Sequence, residues 1–311
     1  MAFYTRIYVV KRRKNMGILI KALALNKRIR VFLADTVDIT NEAIKRHDLW
    51  PSAASVLGKT MTIGTMMGAM LKGEESLTIK IDGNGPIGNV VVEADAKGNV
   101  RGYVSREHVH FDNKQTIDDV TTLGYNGYIE VIKDLKLKDF FISTIPIQTG
   151  DLAKDFTYYF ATSEQTPSLI SLGSYFTTDG FAQVFGGILI QLLPDALEED
   201  ITYLENKVEL LRSYSKLLKE YPHQEEILKL LFNDDYHIIE TKEIQFKCPC
   251  SKEKFAGGIA SLGKEEISEM IAKDHKAEVI CHYCKEVYHY NEEELNEILI
   301  YAKGKKKDEI N

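Results

Sequence analysis

The first 247 residues of this 311-residue chain contain no cysteine. That absence excludes a dispersed disulfide framework and points to a reducing compartment, read here as the cytoplasm. Tryptophan occurs once, at Trp50, and proline seven times. No run reaches the roughly 18 apolar residues that a membrane-spanning helix needs. The longest candidate, 60–71, is bounded by Lys59 and Lys72. An excess of positive charge is also missing. Against 46 acidic residues stand 39 basic ones, a formal net charge of -7. No broad cationic surface is therefore expected, and nucleic acid is a poor default partner. A glycine-flanked serine elbow, an HExxH helix and a paired-carboxylate pattern are not evident, so no enzyme active site is visible.

What is present sits near the C-terminus. All four cysteines fall in Cys248-Pro249-Cys250 and Cys281-His282-Tyr283-Cys284, with thirty residues between the pairs. Two close thiol pairs joined by a loop make a tetrahedral four-thiolate zinc site. His275, His282 and His289 lie close enough in sequence to compete as ligands, but four cysteines already satisfy a tetrahedral ion. Lys247, Lys252 and Lys285 flank the thiols and favour the thiolate, which is both metal ligand and nucleophile. The single proline between Cys248 and Cys250 is a tighter spacing than the usual two to four or so residues. Such a vicinal pair can oxidise once the metal leaves, so the site reads as a switch as well as a staple. A metal-dependent module of this size unfolds without its ion, because binding supplies on the order of 10 kcal/mol or more of its folding free energy.

The fold class expected is α+β: a sheet-rich N-terminal core domain with packed helices, a helical linker and a small four-cysteine zinc domain. Residues 18–33 read as a hairpin turning at Asn26-Lys27, 40–47 as a short helix and 51–71 as a helix begun by Pro51. Strands at 76–82, 89–95 and 100–104, separated by glycine turns, suggest an antiparallel meander. Further strands are expected at 128–133, 140–146, 169–176 and 182–193, with a helix at 151–163. After Pro194 the texture changes. Residues 198–232 lack glycine, cluster acidic side chains near their start, and place Ile201, Leu204, Val208, Leu211 and Leu218 at helical spacing. That apolar stripe must lie against something. Helices at 264–273 and 292–301 complete the expectation. The organisation expected is a basic extension at 1–15, an α+β core domain at 16–194, a metastable helical linker at 195–245, a zinc module at 246–303 and a charged tail at 304–311. The extension carries Arg6, Lys11, Arg12, Arg13 and Lys14 after rather than before its apolar residues, unlike a secretory signal. It reads as a floppy leader, or as sequence ahead of a true start at Met16.

Two features have bland explanations. Gly83-Asn84-Gly85-Pro86-Ile87-Gly88 fits G-x-G-x-x-G, but a dinucleotide site needs a helix to follow, and the β-branched run at 89–93 follows instead. It is a turn. Met61, Met66, Met67 and Met70, with Gly64 and Gly68, mark the 51–71 helix either as core or as part of an adaptable apolar surface. His47, His108 and His110 form no metal-like spacing.

The residues together resemble the heat-shock protein 33 family, the redox-regulated 33 kDa chaperonins, from about Met16 to Tyr301. The resemblance is carried by His47-Asp48-Leu49-Trp50-Pro51, the run from Met66 to Gly73, Gly83–Gly88, Arg101-Gly102-Tyr103-Val104, the run from Asp155 to Phe160, and above all FKCPCSKEKF with CHYCKEVY. It implies an ATP-independent holdase chaperone, not an enzyme, that binds unfolded or partly unfolded client proteins under oxidative stress. Neither nucleic acid nor membrane is an expected partner. The ligands of one zinc per reduced chain would be Cys248, Cys250, Cys281 and Cys284. On oxidation Cys248 would pair with Cys250 and Cys281 with Cys284, zinc would leave, the linker would unfold and the chain would form a homodimer. The alternative is a constitutive protein whose zinc ribbon only mediates interactions. A thiol-disulfide oxidoreductase is the weaker third reading, because Cys281–Cys284 lacks a βαβ context.

Overall fold

The computed structural model describes residues 16–111 and 117–308, with side chains described to residue 302. The basic leader 1–15 and the end of the charged tail lie outside the described residues. The chain divides into two compact units at Lys247/Cys248.

In the first unit, β1 (Gly17–Ala24) and β2 (Ile29–Asp35) form the expected hairpin, with Leu25, Asn26 and Lys27 at positive φ in its turn. Then come α1 (Val37–His47) and α2 (Pro51–Gly68), the latter with Pro51 in its first turn, where a missing N–H leaves no bond unmade. The meander follows as β3 (Ser76–Asp82), β4 (Asn89–Asp95) and β5 (Asn99–Val104), all antiparallel neighbours. The glycine-rich stretch 83–88 leads straight into β4, so it is a turn and not a nucleotide loop. Next are α3 (Asp119–Leu123), β6 (Tyr128–Asp134), β7 (Phe141–Pro146), α4 (Leu152–Thr162), β8 (Ser168–Phe176) and β9 (Ala182–Leu192). The glycine-free segment breaks into α5 (Glu198–Glu205), α6 (Val208–Arg212), α7 (Tyr214–Glu220) and α8 (Gln224–Phe232).

The helical expectation for 195–245 fails beyond Phe232. Residues Tyr236–Phe246 form β10, antiparallel to β1 and parallel to β5 over the pairs Gln245–Asn99 and Phe246–Val100. Only Ile244 is buried along it, so its apolar alternation is too thin to announce a strand; pairing on both sides makes it one. The ten strands form one sheet in the order β7-β6-β3-β4-β5-β10-β1-β2-β9-β8.

Both faces of its β1-β2-β9 part are covered. Leu19, Phe32, Ala34 and Leu189 face the main core under α1, α2 and α4. Their sequence neighbours Ile20, Val31, Leu33, Ile188 and Ile190 face a second core, closed by Leu204, Leu211, Tyr214, Leu217, Ile227, Leu228, Leu231 and Phe232 of α5–α8. Alternation on a strand sends successive residues to opposite faces, which is why these strands read as almost continuous apolar runs. Met61, Met66 and Met67 are at most 2% exposed, so the methionine-rich helix is core. No helix among the described residues is long and apolar enough to cross a membrane.

The second unit contains α9 (Lys252–Leu262), α10 (Lys264–Asp274), the two-stranded antiparallel β11 (Lys276–Ile280) and β12 (Val287–Asn291), and α11 (Glu292–Asp308). Its core is Ile259, Ile267, Tyr290, Leu295 and Ile298. Five fully buried apolar residues among those described make a small core for a module of this length.

Candidate metal centre

Each cysteine pair is delivered by a different local device. Phe246 ends β10, and Cys248-Pro249-Cys250 follows directly. Ser251 then caps α9, its Oγ accepting from the Lys254 N–H at 3.3 Å, while Lys254 Nζ donates to the Pro249 carbonyl at 2.6 Å. The second pair turns out of β11. The Cys281 N–H donates to the Glu286 carbonyl at 2.9 Å and the Lys285 N–H to the Cys281 carbonyl at 2.8 Å, with Lys285 at a φ of 58°. This tight turn puts Cys281 and Cys284 on one side of the hairpin.

The four sulfurs all lie within 4.8 Å of one another. Cys248 Sγ is 3.7 Å from Cys281 Sγ, and Cys250 Sγ is 3.4 Å from Cys284 Sγ. A disulfide would bring two sulfurs to about 2.05 Å; all four cysteines are free thiols. Zinc–sulfur bonds of about 2.3 Å in a tetrahedron separate the sulfurs by about 3.8 Å, close to the spacing seen. The donor set therefore fits a tetrahedral thiophilic cation. Cys281 and Cys284 are 3% exposed, whereas Cys248 and Cys250 are half-buried.

The electrostatics agree. At Cys250 burial opposes the thiolate, but hydrogen bonds from the Tyr288 hydroxyl and then from the neighbouring thiols outweigh it, and the pKa falls below the ordinary thiol value. At Cys284 burial acts first and the three nearby sulfurs add to it, so its pKa rises well above that value. Four thiols this close cannot all lose their protons unless a cation compensates the charge.

The structure thus brings together all four cysteines singled out in the sequence. The histidines stand apart: His275 Nδ1 is 3.0 Å from Glu292, His289 Nδ1 is 3.4 Å from Glu278, and the cluster found among the described residues is cysteine alone. His108 lies in the other unit, its Nε2 at 3.0 Å from an Asp48 carboxylate oxygen and its ring stacked on Trp50. Of the flanking lysines, Lys252 pairs with Glu294 at 2.5 Å. Cys281–Cys284 follows a strand of an isolated hairpin, so the βαβ setting of a thioredoxin-like site is absent from this module. Sequence reasoning missed Tyr288, whose hydroxyl donates to Cys250 Sγ at 3.1 Å, and Tyr290, whose hydroxyl donates to the Lys252 carbonyl at 2.6 Å. The alternating Val287-Tyr288-His289-Tyr290 was the available signal: it marks a strand that puts both tyrosines on one face.

Comparison with known proteins agrees over nearly the whole chain. The sequence model of the family described as Hsp33 protein matches residues 18–291. A 33 kDa chaperonin of Bacillus velezensis is 46% identical over 91% of this chain and 98% of its own length. That of Bacillus subtilis is 45% identical over 90% and 97%. Among solved structures, the 33 kDa chaperonin (heat shock protein 33 homolog) of Thermotoga maritima superposes with a TM-score of 0.85 at 33% identity, covering 92% of this chain and 98% of that one.

Proposed function

The chain belongs to the Hsp33 family of chaperonins, and from that membership we propose that it is a redox-regulated, ATP-independent holdase for proteins that unfold under oxidative stress. The observation that carries the redox part is the convergence of four sulfurs within 4.8 Å in a module whose apolar core has five buried residues. Cys248, Cys250, Cys281 and Cys284 would hold one zinc ion, which when bound supplies the positive charge that lets four thiolates share the site. A hydroperoxide would oxidise one thiolate to a sulfenic acid, releasing hydroxide, and a neighbouring thiol would displace water from it to form the disulfide. Two such events, pairing Cys248 with Cys250 and Cys281 with Cys284, leave no thiolate ligand and remove the module's staple.

Only Lys247 lies between β10 and Cys248, so loss of order in the module would reach the core unit through β10 and the α5–α8 segment that precedes it. In that unit α5–α8 cover Ile20, Ala22, Val31, Leu33, Ile188 and Ile190. Release of the helices would bare this sheet face and the helices' own apolar stripe, a broad surface for non-native chains. The activity is binding without turnover, in the cytoplasm, with the oxidised chain as a homodimer. The test is an aggregation assay on the reduced, zinc-loaded chain and on the chain treated with peroxide at mild heat, with released zinc followed by a chromogenic chelator and dimer formation by light scattering. Suppression of client aggregation in step with zinc release is expected. Zinc release without suppression would refute the chaperone reading.

A further inference from the structure

Lys59, Lys80, Lys97 and Lys133 each give their ammonium to a carboxylate. Lys21, on β1, does not. Its cross-strand neighbour on β10 is Glu240, but that carboxylate lies 2.9 Å from Lys242 Nζ instead. Its neighbour on β2 is the fully buried Phe32, and Lys21 Nζ lies 5.6 Å from the ring centroid. A second cation shares that ring: the Arg30 guanidinium carbon is 5.4 Å from the same centroid. Arg30 Nε and Nη2 both donate to one neutral oxygen, Oε1 of Gln191, at 3.2 and 2.7 Å. Among the described residues, neither cation has a carboxylate partner.

The cluster therefore holds uncompensated positive charge. Lys242 lies on the same face of the sheet, two residues along β10 from the position opposite Lys21. The charged groups that act on Lys21 are Arg30, Lys242 and Lys72 against the single carboxylate of Glu240. Burial first, and then Arg30, push the Lys21 pKa below the ordinary lysine value; Lys242 and Lys72 add to the fall and Glu240 opposes it. Such an amine is a better nucleophile near neutral pH, because more of it is unprotonated. Fixed cations also concentrate small anions, and a guanidinium presents its planar fork to phosphate oxygens. Lys21 and Arg30 are half-buried and not sealed, so a reagent of a few atoms can reach them. A poised amine beside a fixed guanidinium suits an acylating agent whose leaving group is phosphate.

We propose that Lys21 is a modification site, acylated without an enzyme by acyl phosphates whose phosphate end is held by Arg30. The unprotonated Nζ attacks the carbonyl carbon and forms the N–C bond. The bond from that carbon to the bridging oxygen breaks, inorganic phosphate leaves with the electron pair, and the proton shed by the nitrogen passes to it. The product is a neutral amide. The inference stands apart from the metal centre and from the chaperone reading.

The test treats the full reduced chain with acetyl phosphate and follows each lysine by tandem mass spectrometry. Lys21 should acetylate roughly tenfold faster than Lys27, which is exposed on the β1–β2 turn. Added inorganic phosphate should slow Lys21 and spare Lys27. In concentrated urea the preference should vanish, since the fold and not the local sequence creates it. Arg30→Gln should lose most of the preference and Arg30→Lys, which keeps the charge, should regain part of it. N-acetoxysuccinimide, which carries no phosphate, should prefer Lys21 less. A native chain in which Lys21 reacts no faster than Lys27, or a preference that survives urea, would overturn the site. Equal preference with both reagents in the native chain would overturn the holding of phosphate by Arg30.

Discussion

Asp200, at the start of α5, is held by Arg28 of the β1–β2 turn through two hydrogen bonds, Nε to Oδ2 at 2.6 Å and Nη2 to Oδ1 at 2.7 Å. The carboxylate is 2% exposed and also accepts the Leu197 N–H at 2.8 Å. This planar fork fastens the first of the linker helices to the sheet. The Arg28 hydrogen bonds act first, against burial, and keep the Asp200 pKa below its ordinary value. A depressed folded-state pKa means stability that is fully present above the unfolded value of about 3.9 and is lost as pH falls through the folded one. At neutral pH the fork is intact, and acid opens it. Asp200→Asn should lower the urea midpoint of the helix layer at pH 7 and flatten its dependence on pH below about 4. Urea titrations followed by circular dichroism at several pH values check this; coincident curves for variant and wild type would sink it.

Tyr214 lies on α7 with 1% of its surface exposed, and its buried hydroxyl has no hydrogen-bond partner. Gln224 on α8 is in a related position: its amide nitrogen donates to the Ile18 carbonyl at 3.1 Å, but its Oε1 is unpartnered. Orphaned polar atoms between the helices and the sheet make the docking weaker than its apolar contacts suggest, since each costs about 1–3 kcal/mol. Tyr214→Phe keeps the ring and removes the orphan, so the layer should gain about 1 kcal/mol. The variant should need higher temperature or longer oxidation before it suppresses aggregation. Hydrogen exchange across 198–232 in the reduced chain is the direct readout, with slower opening expected.

These two sites also show where the sequence was legible. The cysteine spacing announced the four-sulfur cluster because close pairs are a local pattern, and glycine turns announced the β3–β5 meander for the same reason. The acidic, glycine-free segment was readable as helices that must dock. Neither Arg28 as the partner of Asp200 nor Ile18 as the partner of Gln224 could be read, because 171 and 205 residues lie between the partners. β10 was missed because pairing on both sides, not its own side chains, makes it a strand. α9 escaped notice because Gly257 and Gly258 interrupt its pattern.

That glycine pair has a use of its own to test. A Cβ at Gly257 or Gly258 would meet nothing within 4 Å, and neither residue has a positive φ. Neither close packing nor backbone geometry demands glycine there. Mid-helix glycine costs about 0.8–1 kcal/mol relative to alanine, so the pair weakens α9 by nearly 2 kcal/mol. Gly257→Ala with Gly258→Ala should therefore leave metal uptake intact and let α9 keep more helix after zinc is chelated. Circular dichroism of both chains with and without chelator measures the difference; equal loss of helix would show that helix propensity does not govern how much of α9 survives the chelator.

Gly173 on β8 is the opposite case, a glycine demanded by contact. A Cβ there would lie 2.7 Å from the Ser215 backbone nitrogen and 2.9 Å from its Cα. Around it the strand and α7 are tied by the Ser174 N–H to Ser215 Oγ at 3.0 Å, and Ser171 Oγ donates to the Leu211 carbonyl at 2.5 Å. Gly173→Ala must push α7 off the sheet, at a cost of about 1–3 kcal/mol, without entering the main core. If the face under α5–α8 is what clients bind, this variant should suppress aggregation while still reduced and zinc-loaded. Hydrogen exchange would confirm that 198–232 has loosened. Loosened helices with no gain of activity would mean that clients bind elsewhere, and the sheet face would lose its assigned role.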